Sequence, residues 1–224
     1  MSKQTKNSQT KQHPLYTVIL FIIKVVYTLI YRPHFHGTEN IPGKDKSYII
    51  CSNHISANDV IFMAWKLPCQ PHYVAKEEIM KNPIIRFFAN IFGVIPIKRG
   101  GADIGAIKKA IDAVKNGGVL GIFPQGTRRK GAAPQVSQFR SGVGMMAAHA
   151  HADVLPMYIK TKNYRIKWFR RVDVYFGELI KYEELGFNEK KFAEFNAASK
   201  YVAEKIVALC PDNAANAENK ENEN

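Results

Sequence analysis

Cysteine is scarce in this chain. Cys51, Cys69 and Cys210 are the only three among 224 residues, and no two form a Cys-x-x-Cys pair. An odd, scattered set argues against a disulfide framework and fits a reducing compartment. His149 and His151 are two residues apart, so on a helix they point in different directions. No metal site is therefore expected. Acidic residues are also few: 19 Asp and Glu face 32 Lys and Arg, a formal charge of +13. Part of the acid sits at the end, where Asp212, Glu218, Glu221 and Glu223 oppose Lys220. The rest is more basic still, which points to an anionic partner such as phospholipid headgroups, phosphorylated small molecules or nucleic acid. No repeat is present.

Long hydrophobic runs are missing too. The best, residues 15–31, is interrupted by Thr17, Lys24 and Thr28. As a helix it is about 26 Å long, short of the roughly 30 Å hydrocarbon core. Its polar residues fall on one narrow stripe, so the pattern predicts a helix lying in one leaflet or packed on the domain. A true span and a buried soluble helix are the alternatives. No small-residue cleavage site follows, so no removable signal is read.

The remaining pattern is that of one α/β domain with a mostly parallel central sheet flanked by helices. Strands are expected at 47–52, 72–75, 93–97, 119–123, 154–160 and 171–176. Helices are expected at 58–66, 83–92, 103–116, 139–151 and 188–209. Asp103 reads as an N-cap or first-turn residue and Asn116-Gly117-Gly118 as a helix stop. The organisation is a basic, disordered tail (1–13), a membrane-associated helix (14–34), a catalytic domain (35–210) and an acidic, disordered tail (211–224).

Two residue types carry the first chemical signal. His54 and Asp59 lie five apart, just after the apolar run Tyr48-Ile49-Ile50-Cys51. An imidazole takes protons near neutral pH, and a carboxylate can fix its tautomer and stabilise its charged form. The same residues also read as a capping box, Ser56-x-x-Asp59, before the run 60–65. On an ideal helix, positions five apart are about 140° apart, so the pair meets only if His54 stays in the loop.

A second signal is cationic. Gly121-Ile122-Phe123-Pro124-Gln125-Gly126-Thr127-Arg128 ends a strand with cations behind it. Gly93 to Arg99 repeats that layout, and Lys76 closes another strand. Ligands of α/β sheets gather at the carboxyl ends of strands, and arginine suits phosphate there.

Together these segments resemble the four sequence blocks of the glycerolipid acyltransferases, the 1-acylglycerol-3-phosphate acyltransferases and their relatives. Asn53 to Asp59 is similar to the His-x4-Asp block, 93–99 to the second, 123–128 to the third and 154–158 to the fourth. The resemblance implies acyl transfer from a thioester, acyl-CoA or acyl-carrier protein, to the hydroxyl of a lysophospholipid acceptor, giving phosphatidic acid. Glycerol-3-phosphate or another lysolipid is the alternative acceptor. It implies His54 as general base, Asp59 as its orienting partner, and Lys76, Arg99, Gln125, Gly126, Thr127 and Arg128 as substrate-binding residues. No cofactor and no metal is required. One departure stands out: the third block usually has glutamate where this chain has Gln125, which loses a charge and gains donors.

Residues 160–171 are basic and aromatic, with Lys160, Lys162, Arg165, Lys167, Arg170 and Arg171 around Tyr164, Trp168 and Phe169. Such a stretch suits an anionic membrane surface, the phosphates of coenzyme A or an acidic carrier. It is also what a solvated hairpin looks like. A nucleic-acid-binding module is the rival class, but no signature of one is present, so no nucleic-acid partner is expected. The expected location is the cytoplasmic face of a membrane.

Overall fold

The computed structural model describes residues 12–98 and 103–212. Arg99 and nearly all of both expected tails lie outside the described residues. Seven strands form one sheet in the order β1-β7-β6-β2-β5-β3-β4. They are β1 (His34–His36), β2 (Tyr48–Ser52), β3 (Pro71–Lys76), β4 (Val94–Ile97), β5 (Val119–Ile122), β6 (Asp153–Thr161) and β7 (Val172–Phe176). Every neighbouring pair is parallel except β6 and β7. The central strands β2 and β5 are buried throughout. That is why they read as unbroken apolar runs rather than alternating ones.

Six helices cover the sheet: α1 (Tyr16–Tyr31), α2 (Asp59–Ala64), α3 (Pro83–Ile91), α4 (Ile104–Lys115), α5 (Gly142–Ala150) and α6 (Phe192–Ala208). One core cluster joins α4, α5 and α6 through Ile111, Val114, Val143, Met146, Val202 and Ile206. The opposite face is covered by α1 and α2, with Tyr31, Phe62 and Met63 packed on Ile50 and Leu155. Gly144 lets α5 approach α6: a Cβ there would lie 2.2 Å from the Phe195 carbonyl oxygen.

Most element boundaries follow local chemistry. Asn82 caps α3 by accepting from the Ile84 and Ile85 N–H groups, with Pro83 in the first turn. Asp103 caps α4 through the Ala106 N–H, and Gly117 ends it at φ +89°. Three sequence expectations change. β1 is an extra strand, too short and too polar at His34 and His36 to show as one. Helix α5 starts at Gly142, because the Phe139 N–H closes the 3-10 turn of 136–138 and the Arg140 N–H donates to the Pro124 carbonyl. Helix α6 starts at Phe192, because the Glu194 carboxylate accepts from the N–H groups of Asn188, Glu189 and Lys190, holding them in a turn.

The helix at 15–31 forms as α1 and packs on the domain. Among the described residues, no helix is long and apolar enough to cross a membrane.

The connections place the site. From β2 the chain runs through α2 to β3, which lies beyond β5. From β5 it runs through α5 on the other face to β6, which lies beyond β2. The two adjacent strands therefore send their chains to opposite faces of the sheet, each passing over the other strand. Such a point leaves a crevice at the carboxyl ends of the strands.

Candidate active site

His54 and Asp59 sit at that crevice. The His54 Nδ1 is 2.8 Å from Asp59 Oδ2. A carboxylate only accepts, so Nδ1 donates and Nε2 is left as the basic nitrogen. No hydrogen bond to Nε2 is found among the described residues. The imidazole stacks on Phe123, the residue after β5, with centroids 4.2 Å apart. Its side chain keeps 18% exposure, while Asp59 has none.

Asp59 Oδ2 also accepts from the N–H groups of Ile55, at 2.7 Å, and Ser56, at 2.8 Å. The capping-box reading is thus half right. Asp59 is the first residue of α2, but it satisfies donors of the preceding loop, and Ser56 Oγ accepts from the Asn58 N–H instead. One carboxylate oxygen holds the loop and the ring together. Burial pushes the Asp59 carboxyl above its usual range, while the bonds from His54, Ser56 and Ile55 pull it back down. Its second oxygen, Oδ1, is buried and has no partner among the described residues.

The loop after β5 closes over His54. Gln125 Oε1 accepts from the His54 N–H at 2.7 Å, and the Arg129 N–H donates to the His54 carbonyl at 2.7 Å. The N–H and carbonyl of His54 are thereby both pinned by the loop after β5.

A family model for acyltransferases matches residues 32–160. The chain belongs to the acyltransferase family. It is 34% identical over 134 residues to a 1-acyl-sn-glycerol-3-phosphate acyltransferase of Borreliella burgdorferi, covering 58% of this chain and 52% of that one. It is 27% identical over 169 residues to the Streptococcus pneumoniae protein of the same name, covering 73% and 61%. It resembles the solved 1-acyl-sn-glycerophosphate acyltransferase PlsC of Thermotoga maritima with a TM-score of 0.69 and 25% identity, over 87% of this chain and 77% of that one. The chain spans about half to three-fifths of the length of these two curated relatives.

The structure separates the other expected site residues. Thr127 and Arg128 are exposed on the loop that crosses His54. Gly126 starts that loop at φ +65°, a conformation that favours glycine. Lys76 is exposed at the carboxyl end of β3, one strand beyond β5 from the base. Gln125 takes a different position from the acceptor-facing one expected. It is 2% exposed, and its Nε2 donates to Gln138 Oε1 at 2.9 Å. Both ends of the amide are engaged by protein, so Gln125 holds the His54 backbone.

That bond also accounts for the departure from the family pattern. A glutamate at 125 would still accept from the His54 N–H. Gln138 would only have to turn its amide to donate. Gln125→Ala should therefore cost about 1–3 kcal/mol, by stranding the buried His54 N–H. Gln125→Glu should cost less, as read from paired denaturant titrations.

Two positioning groups escaped the sequence reading. Asn53 is fully buried and bonds both the N–H and the carbonyl of Ile159, locking the end of β2 to β6. Asn58 bonds the hydroxyls of Tyr27 and Tyr31, tying α1 to the His-Asp loop. Adjacent polar residues at a strand end were the only sequence signal for the first. Nothing local announced the second, which joins segments 27 and 31 residues apart.

Proposed function

We propose that the protein transfers a fatty acyl group from a thioester to the free hydroxyl of 1-acylglycerol-3-phosphate, giving phosphatidic acid. The observation that carries this reading is the His54–Asp59 pair, with Nε2 unbonded among the described residues beneath a strand-end loop bearing Arg128. In the proposed step Nε2 takes the acceptor hydroxyl proton as that oxygen attacks the thioester carbonyl. A carbon–oxygen bond forms, and collapse breaks the carbon–sulfur bond. The leaving thiolate recovers the proton from the imidazolium. Asp59 stabilises that imidazolium through Nδ1. Thr127 and Arg128 hold the acceptor phosphate, joined by Arg99 and Lys76. Names of the relatives and the shared fold support the choice of acceptor. Either acyl-CoA or acyl-carrier protein supplies the thioester. Purified protein offered lysophosphatidic acid and each donor should form phosphatidic acid. A preference for a phosphate-free acceptor would contradict the role given to Arg128.

We further propose that it works on the cytoplasmic face of a membrane. Helix α1 turns Val18, Phe21, Ile22 and Leu29 to solvent. Helix α3, which meets α1 through the Tyr16–Phe92 ring contact, exposes Ile84, Ile85, Phe87 and Phe88. Exposed apolar surface of this extent marks an interaction site, and the positive charge suits an anionic leaflet. Phe21→Glu combined with Leu29→Glu should lower binding to phosphatidylglycerol vesicles at least tenfold, since each burial is worth about 2 kcal/mol. Unchanged vesicle binding would remove α1 from the membrane surface.

A further inference from the structure

The basic-aromatic segment after β6 takes no part in the proton transfer. Ile166 packs its stem against the core cluster shared with α1 and α2. The segment then ends in a tight turn, closed by the Arg170 N–H on the Lys167 carbonyl at 3.3 Å. At its tip stand Trp168 and Phe169, 72% and 69% exposed. Phe169 holds φ +58°, in the left-handed region where a bulky residue is an outlier and glycine the ordinary choice. The turn keeps that conformation because the Phe169 N–H donates to the Ile30 carbonyl at 2.8 Å. The chain thus accepts backbone strain to present two adjacent rings to solvent, and strain of this kind gathers at functional sites.

Continuity and charge identify what meets those rings. The exposed apolar residues of α1, Val18, Phe21, Ile22, Val25 and Leu29, follow the spacing of one helical stripe. That stripe ends at Leu29, one residue before the carbonyl that holds Phe169. Lys167 and Arg170 flank the rings and have no carboxylate partner among the described residues. No acidic residue occurs from Val154 to Val172, and Asp173 is already taken by Arg171 and His36. Rings at a tip with cations beside them match the polar boundary of an anionic bilayer. Tryptophan settles there among the headgroups, and each nearby cation adds attraction.

We propose that Trp168 and Phe169 form a second membrane anchor, inserted at the headgroup level of an anionic leaflet, which fixes how the crevice faces the lipid. This role rests on the membrane association given above, in which α1 and α3 make the first contact. Two hydrogen-bonded connections tie the tip to the base. On one side Phe169 is held by α1, whose Tyr27 and Tyr31 bond Asn58 in the His-Asp loop. On the other, the Tyr164 carbonyl accepts from the Gly131 N–H, in the loop whose Arg129 N–H bonds the His54 carbonyl. A single helix lying on a surface leaves the domain free to roll about its axis, and a second contact beside its end stops that roll. The acceptor of the proposed reaction carries an acyl chain in the leaflet, so a fixed orientation keeps its headgroup level with His54.

Fluorescence tests the anchor directly. Trp65 and Trp168 are the chain's two tryptophans, and Trp65 is half-buried among Tyr27, Phe35 and Phe62. With phosphatidylglycerol vesicles, emission of the full chain should shift to the blue and be quenched by bromine-labelled acyl chains. Trp168→Phe should lose both changes. Phe169→Gly should keep or raise the melting temperature, since glycine suits φ +58°, yet lower vesicle binding several-fold by sedimentation. A ring with a merely structural role would show the reverse and overturn the anchor. Lys167→Gln/Arg170→Gln should weaken vesicle binding about tenfold at low salt and little at high salt. Vesicles that carry the protein down while Trp168 is neither shifted nor quenched would overturn the anchor and leave α1 on the membrane. No sedimentation at all would overturn both. A blue shift that appears with rising protein concentration or with added acyl-carrier protein, and not with lipid, would assign the tip to a second copy or an acidic protein and overturn it too.

Discussion

Replacing His54 with alanine should lower kcat about 10³–10⁴-fold, some 4–5 kcal/mol of barrier, while leaving the protein folded and bound to vesicles. The size follows from the loss of the imidazole placed on the crevice. The survival of the fold follows from what holds residue 54. Its N–H bonds Gln125 and its carbonyl accepts from the Arg129 N–H, and neither contact involves the ring. The stack on Phe123, worth about 1 kcal/mol, and the Nδ1 bond to Asp59 are lost, but the Ile55 and Ser56 N–H groups still hold Asp59 Oδ2. Steady-state turnover with lysophosphatidic acid, alongside thermal melts and vesicle sedimentation, separates these effects. Turnover near the wild-type rate would sink His54 as the base.

Asp59→Asn should lower kcat about 10²–10³-fold, less than loss of the base itself. The reason is geometric. Three donors converge on Asp59 Oδ2: His54 Nδ1 and the N–H groups of Ile55 and Ser56. Two of them are backbone groups that can only donate, so they should hold the asparagine carbonyl in that position. The amide nitrogen then takes the place of Oδ1, which has no partner to lose. The ring keeps its tautomer, and what disappears is the charge that stabilises the imidazolium.

The same substitution should change stability with a definite sign. Burial raises the Asp59 carboxyl in the folded state, so folding favours its protonated form. Its stabilising contribution is complete below the unfolded carboxylate range and is lost as pH rises through the raised folded value. Asparagine has no such loss. The melting temperature of Asp59→Asn relative to wild type should therefore be highest at neutral pH and fall toward zero on acidification. A gap that widens with acid would show that the three hydrogen bonds, not burial, dominate this carboxylate.

Much of the architecture was legible because its signals are local. Unbroken apolar runs marked β2, β5 and β6, and cap residues such as Asp103 and Gly117 marked the ends of α4. Elements without local signals are set by distant partners. Three-residue β1 owes its existence to pairing with β7, not to its own composition. The start of α6 was misplaced because Glu194 reaches back to donors that a linear reading leaves unassigned. Gln125 was placed among substrate-binding residues because a polar side chain beside a cationic turn resembles a ligand contact. Burial, which no single residue declares, makes it a support for the base.

The sequence by itself determined the fold class and the family, since these depend on residue type and spacing along the chain. Only the tertiary structure decided which groups meet. The crevice exists because β2 and β5 send their chains to opposite faces of the sheet. His54 is pinned because a loop 71 residues away supplies Gln125. Such contacts are long-range products of sheet order and burial, and spacing along a chain does not encode them singly.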